Sequence, residues 1–472
     1  MERYLPGPRE NAKMTPQRLL LPLIVLTVTL SALNATYGPR LTTGLHTGAA
    51  TAAHNLCSAT FISELPAEET TTQLLPALMG RIASALLSTQ INQQAGTADA
   101  WLLTAHAQAK FTPGYGCRLQ SAAAQIPLAL LPAASPAQSD CLAPPDQIPA
   151  PPDALQTALD EEFTDPPALP PRYVHAILII KNGRIATERY APGHTATTPE
   201  MSFSVAKSFT NALLAILVRQ NRIDIDKPAP IPEWHHPDDP RGRITPDDLL
   251  RMQSGLFPEE NGAGSDPASI MFYGASDMAV FMATQPAVQP PRQEFAYNSG
   301  NTLILDRLIG QIVGGGPAGI RAFAQKQLFD PLNIHDATME FDSAGTWIGA
   351  SHFYASARSY AKFGMLYLND GIAPNGQRIL PAGWVAYSKR ATLNSLYGAG
   401  FWTLSGNNED ATWLIAHGFP KDGFWASGNL GQRIYIVPSE NLIMVRLGTT
   451  KSQNFGITAD MQLLSSAIKS LK

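Results

Sequence analysis

The chain has 472 residues, room for two or three domains or for one large enzyme domain with appendages. Its 44% apolar and 15% charged residues are the composition of a globular protein. A net charge of −4 and the lack of any basic stripe with interleaved aromatics exclude nucleic acid as a partner.

Residues 19–33, LLLPLIVLTVTLSAL, are an uncharged apolar run preceded by Arg9, Lys13 and Arg18. No A-x-A cleavage site follows, so the run reads as an uncleaved membrane anchor, with a cleaved signal as the alternative. The basic flank lies on the N-terminal side, which places the body outside the cytoplasm, on the periplasmic side. Residues 1–40 are therefore a cytoplasmic tail with anchor or signal.

Residues 41–131 form a small N-terminal extension of mixed helix and strand. Helical spacing runs over 74–87, weak alternation over 97–111, and His46-Thr47-Gly48 falls in a Gly/Thr-rich stretch read as loop. In an exported chain, two of the three cysteines are expected to pair. Cys57 and Cys117 are the favoured pair because each has an ordered-looking context (HNLCSATF, GYGCRL), while Cys141 sits among prolines. No cysteines have CxxC spacing, and the adjacent His235-His236 are poorly placed to share an ion, so no metal site is expected.

Residues 132–172 are a proline-crowded linker with one helical stretch over 154–163. At 175–190, HAILIIKNGRIATERY gives two apolar runs joined by Asn182-Gly183, a strong hairpin signal. Helical patterns then dominate to about residue 330, with Thr245 as an N-cap. Strand-like runs return at 398–404, 423–428, 432–438 and 442–448, and a last helix spans 458–471. Residues 173–472 therefore predict an α/β (α+β) domain: an antiparallel sheet of early hairpin and late strands, with an inserted helical region packed on it across a cleft.

Three stretches carry candidate chemistry. Ser204-Val205-Ala206-Lys207 precedes an apolar helical pattern, so a helix starting near Ser204 stacks the Lys207 amine beside the Ser204 hydroxyl. A serine needs a neighbour to take its proton, and a lysine serves only if burial or charge lowers its pKa. Tyr297, in the turn FAYNSGNT, is a candidate proton shuttle if its own pKa is lowered. In Ala426-Ser427-Gly428-Asn429 the glycine allows close approach of substrate, and one backbone N–H can complete an oxyanion hole.

Ser-x-x-Lys, then a tyrosine turn, then a glycine-bearing strand, resembles the serine β-lactamase and penicillin-binding-protein superfamily. The similarity is to its class C-related branch, which includes esterases and 6-aminohexanoate-dimer hydrolases. It covers roughly residues 173–472 and includes ITPDDLLRMQSGL, GASHFYASARSYAKFGMLYLNDG and ILPAGW. The resemblance implies a β-lactamase/transpeptidase-like fold, Ser204 as acylated nucleophile, Lys207 as its activator and Tyr297 as acid/base. It also implies an oxyanion hole from the backbone N–H groups of Ser204 and Asn429, with Ser299, Ser427 and Gly428 against the substrate, and no cofactor. Two departures bear on substrate. Ser299 stands where class C enzymes carry asparagine, with Asn298 displaced by one, and Ala426-Ser427-Gly428 replaces Lys-Thr-Gly. A lysine there would help hold a β-lactam or peptide carboxylate. The expectation is an exported serine hydrolase of a carboxylic ester or small amide. The alternatives are a β-lactamase or DD-peptidase and a non-catalytic envelope-binding protein of the same fold. No Gly-x-Ser-x-Gly pentapeptide supports an α/β-hydrolase.

Overall fold

The computed structural model describes residues 16–120, 126–128, 142–143, 147–165, 171–257, 259–404, 409–451 and 453–472, the side chains of 16–37 and 453–456 excepted. The apolar run 19–33 lies within a backbone helix, Pro16–Phe61, but its side chains are outside the described set, as is Cys141. Among the described residues no helix is long and apolar enough to cross a membrane.

The central sheet is antiparallel and six-stranded, in the order Trp402–Thr403, Phe424–Gly428, Gln432–Val437, Leu442–Gly448, Val174–Lys181, Arg184–Tyr190. Asn182 and Gly183 both have positive φ, 51° and 76°, as a two-residue turn between right-twisted strands requires. The strand Val174–Lys181 pairs with Leu442–Gly448 from the far end of the chain, so the sheet closes only when both ends meet. Its side chains alternate between two cores. Ala176, Leu178 and Ile180 face the helices Ala206–Arg219 and Ala357–Leu368. Ile177 and Ile179 face the opposite side, where Leu155 and Leu159 of Asp153–Glu162 pack with Leu463, Leu464 and Ala467 of the last helix, Gln453–Ser470. Each such aliphatic side chain contributes about 1.5–3 kcal/mol on burial. The helix expected inside the linker thus covers the back of the sheet.

The N-terminal segment departs from its sequence reading in detail. His46-Thr47-Gly48 is not loop but part of the helix Pro16–Phe61, where Thr47 and Thr51 hydroxyls bond back to carbonyls one turn earlier. Such bonds let threonine-rich sequence continue a helix. The helical spacing over 74–87 is broken at Gly80 into short pieces, Leu75–Met79 and Arg81–Ala85. The helix Pro16–Phe61 lies on a four-stranded meander, Leu87–Asn92, Thr97–Leu102, Ala105–Thr112 and Gly116–Leu119. The contact is made largely by Ala52, Ala53, Ala98, Ala100 and Ala109, which bury little area each. A Cys57–Cys117 disulfide closes this small core, with Cα atoms 6.1 Å apart at a sequence separation of 60. Cross-linking a loop of that length restricts the unfolded chain by about 4 kcal/mol.

This segment docks on the sheet-bearing domain through a histidine–carboxylate cluster. His194 contacts Glu200 through Nδ1 at 2.5 Å and Glu69 of the extension through Nε2 at 3.0 Å. His175 stacks on His194 at 4.3 Å and reaches the other Glu200 oxygen at 3.1 Å. Burial opposes protonation of His194, but the hydrogen bonds from Glu200 and Glu69 outweigh it and raise its pKa to about 9. Burial likewise opposes ionisation of Glu200, and His175 and His194 outweigh it, lowering its pKa to about 2. With a folded pKa above its unfolded value, His194 stabilises fully below about pH 6.5 and loses that contribution as pH rises through about 9.

Two outcomes follow. Reduction of the disulfide, or Cys57→Ser, lowers the denaturant midpoint of the extension, read by proteolysis of the 87–119 meander. The stability difference between wild type and His194→Gln shrinks between pH 6.5 and pH 9.5 in chemical denaturation.

Candidate active site

Ser204 sits in a one-turn 3-10 segment, Phe203–Val205, and the α-helix begins at Ala206 rather than at the serine itself. The preceding Phe203 has φ +44°, a left-handed conformation costly for a bulky residue. The turn is held by its surroundings: Ser202 N–H donates to Phe353 O, the Ser202 hydroxyl to Phe203 O and Ser351 O, and the Ser208 hydroxyl to Gly400 O. A Cβ on Gly428 would lie 2.3 Å from Ser202 O, so only glycine lets the strand Phe424–Gly428 lie against this turn.

The helix Ala206–Arg219 is buried from Ala206 to Leu217, and Lys207 is 2% exposed. The Lys207 Nζ lies 2.9 Å from Ser204 Oγ, 3.0 Å from Ser299 Oγ and 2.8 Å from Ala350 O. Burial pulls the Lys207 pKa down to about 8, against the opposing charges of Glu260 and Asp306. The partners dictate how a neutral amine points. Ala350 O only accepts, and the Ser299 hydroxyl donates to Glu260 Oε1 at 2.8 Å, so it too accepts from the amine. Both N–H bonds of a neutral lysine are thereby spoken for, and its lone pair is left for the Ser204 hydroxyl.

Tyr297 lies with its ring 5.0 Å from Lys207 Nζ and lines the cleft beside Ser204. Its pKa is raised, by burial first and by Glu260 second, against the opposing influence of Ser204. The lowered pKa expected for a tyrosine base is thus not what the environment produces: Tyr297 is a neutral phenol at neutral pH. Asn298 turns away from the site, capping the helix Ser299–Val313 through Gly300 N–H and bonding Phe257 O. Ser299, the next residue, supplies the polar contact to Lys207.

These residues open into a cleft of about 780 Å³, the size of a small-molecule site. Ser204, Tyr297, Ser299, Ser427, Gly428 and Asn429 all line it, so every candidate site residue except the deeper-lying Lys207 reaches the cavity wall. Trp402 stacks on Tyr297 at 5.8 Å and forms an apolar side.

Three contributors were not legible from the sequence. Glu260 lies in a loop without a motif, yet it accepts from Ser299 N–H at 2.7 Å and from the Ser299 hydroxyl. The Ala350 carbonyl falls within a stretch noted above, but no pattern reveals a backbone oxygen's partner. Gly44, Thr47, Thr51 and Leu102 of the N-terminal segment form part of the cleft wall, with the Thr47 hydroxyl donating to Gly264 O.

A family model described as Beta-lactamase matches residues 173–466. The chain belongs to the β-lactamase family. Within that family it is 24% identical over 323 residues to a 6-aminohexanoate-dimer hydrolase of Paenarthrobacter ureafaciens, covering 62% of this chain and 75% of the relative. Among solved structures, a penicillin-binding-protein homologue from Caulobacter crescentus superposes with a TM-score of 0.51 at 16% identity, covering 68% of this chain and 99% of that one. EstCE1, a hydrolase with promiscuous acyltransferase activity, gives 0.51 at 13%, covering 67% and 96%. The structural likenesses show the fold, and the family makes this β-lactamase-family chain a serine hydrolase.

The kcat/KM of this hydrolase is expected to climb about tenfold per pH unit up to a limb near pH 8, where Lys207 loses its proton. Glu260→Gln removes a charge that favours the ammonium, so a pH–rate profile of that variant has its acid limb moved to lower pH.

Proposed function

We propose that this chain hydrolyses a neutral or cationic carboxylic ester or small amide through an acyl-enzyme on Ser204. Lys207, neutral above about pH 8, takes the Ser204 proton as Oγ attacks the acyl carbon. The backbone N–H groups of Ser204 and Asn429 accommodate the developing oxyanion. Tyr297, a phenol against Ser204, passes a proton to the departing alcohol or amine as the acyl C–O or C–N bond breaks. Water then attacks the acyl carbon by the reverse route and releases Ser204. Ser299 orients Lys207, while Ser427 and Gly428 lie along the substrate.

The observation that carries the substrate class is the charge of the wall. Among the described residues lining the cleft there is no lysine or arginine; the charged ones are Glu260 and Asp266. Asp266 is committed to capping the helix Pro267–Gly274 through Ser269, and Glu260, held by Ser299, keeps its negative charge beside Ser204 at the cavity wall. Such a wall disfavours the carboxylate of a β-lactam or of a peptide stem and suits an ammonium or an uncharged group. The relative's name, a hydrolase of an aminohexanoate dimer, supports a small amide. The apolar run 19–33 is read as the tether to the inner membrane, with the body on the periplasmic side. A disulfide between Cys57 and Cys117 suits that oxidising compartment.

The test is a matched panel of p-nitrophenyl esters and anilides with cationic, neutral and anionic acyl groups, beside a chromogenic cephalosporin. The expected kcat/KM favours cationic and neutral over anionic members by about tenfold, with little cephalosporin turnover. Glu260→Gln is expected to erase about fivefold of the cationic preference, the scale of an exposed charge pair. A preference for anionic substrates contradicts the proposal.

A further inference from the structure

Away from the cleft, the N-terminal helix and the hydrolase domain meet at a second, drier cluster. His54 of Pro16–Phe61, Glu340, and His352 are 2%, 0% and 1% exposed. Glu340 Oε2 lies 3.0 Å from His54 Nε2 and 3.9 Å from His352 Nδ1, and the two imidazoles stack at 4.3 Å. None of these facing atoms makes a hydrogen bond among the described residues, the 3.0 Å approach included, because its angles are wrong for one. A buried carboxylate oxygen beside two stacked, buried imidazoles whose nitrogens make no hydrogen bonds among the described residues is costly as it stands.

The other carboxylate oxygen is fully used. Glu340 Oε1 accepts from the Ser58 hydroxyl at 2.8 Å and from Cys117 N–H at 2.7 Å, which fixes the plane of the carboxylate and presents Oε2 alone to the histidines. A monodentate carboxylate oriented by hydrogen bonds on its second oxygen, beside two imidazole nitrogens, is the donor set of a divalent transition metal. An ion about 2.1 Å from each donor in tetrahedral array sets donors about 3.4 Å apart; Glu340 Oε2 stands 3.0 and 3.9 Å from the two imidazole nitrogens, and all three donors lie within 4.8 Å of one another. We infer that His54, Glu340 and His352 bind one zinc-type divalent cation that locks the N-terminal segment onto the hydrolase domain. The ion neutralises Glu340 and engages both imidazoles, with a water completing the shell.

The position gives the site consequence for the enzyme. Ser58 and Cys117 bring the disulfide-closed core to Glu340, while His352 adjoins Ser351 of the cleft wall and lies two residues from the carbonyl that holds Lys207. The metal is structural rather than catalytic, since its ligands are sealed from the cleft by burial.

The deciding measurement is the metal content of the full chain, expressed with zinc sulfate and purified without chelator, by plasma mass spectrometry. About one zinc per chain is expected. Removal with dipicolinate should lower Tm by about 5 °C or more, reversed by zinc sulfate. His54→Gln and His352→Gln should each hold less than about 0.1 zinc while still labelling at Ser204 with a fluorophosphonate. Should those variants not fold, the wild-type chain loaded with cobalt(II) is to show visible d–d bands of a nitrogen/oxygen site. A wild-type chain that carries no transition metal and whose Tm zinc sulfate does not move overturns the inference. So does zinc retained at full stoichiometry in a folded His54→Gln, His352→Gln double variant.

Discussion

Everything in the site depends on one amine kept dry. Lys207 sits in the first turn of a helix buried along most of its length, and water that would favour its ammonium form is excluded. Three oxygens replace that water: Ser204, Ser299 and Ala350, from the helix entry, the tyrosine turn and a loop of the helical region. The chain must bring those segments together before the amine is held and desolvated in this way. The strained Phe203 and the close passage of Gly428 over Ser202 are local costs of doing so.

The candidate site residues were legible because they sit on patterns with a local physical meaning. Ser-x-x-Lys is a helix-face spacing, Asn182-Gly183 is a turn dihedral requirement, and the late strands alternate with period two. The direction of the Tyr297 pKa was not legible, since it depends on how deeply the ring is buried and on Glu260 beside it. Glu260 itself belongs to a loop whose sequence carries no period, and its role rests on where the loop folds back onto Ser299. The helix through His46-Thr47-Gly48 was hidden for the opposite reason: glycine and threonine argue locally against helix, and side-chain bonds together with packing on the meander override them.

The N-terminal segment is more than an appendage to the hydrolase domain. Its alanine-lined helix closes over a small meander by a disulfide and meets the hydrolase domain at two histidine–carboxylate clusters. Between them, residues such as Thr47 and Thr51 reach the cleft and narrow it on the side of Glu260. The β-lactamase-family domain thereby receives a cleft wall that it does not itself supply, which is where substrate selection is expected to reside.

Ser204, activated by the desolvated Lys207, is proposed to carry the acyl group. Intact-mass spectrometry of the chain after brief exposure to a p-nitrophenyl ester, quenched in acid and followed by peptide mapping, tests it directly. A single acyl adduct is expected on the peptide containing Ser204, lost in Ser204→Ala and in Lys207→Ala. Rapid turnover with no adduct on that peptide, or an adduct of equal yield in Lys207→Ala, contradicts it.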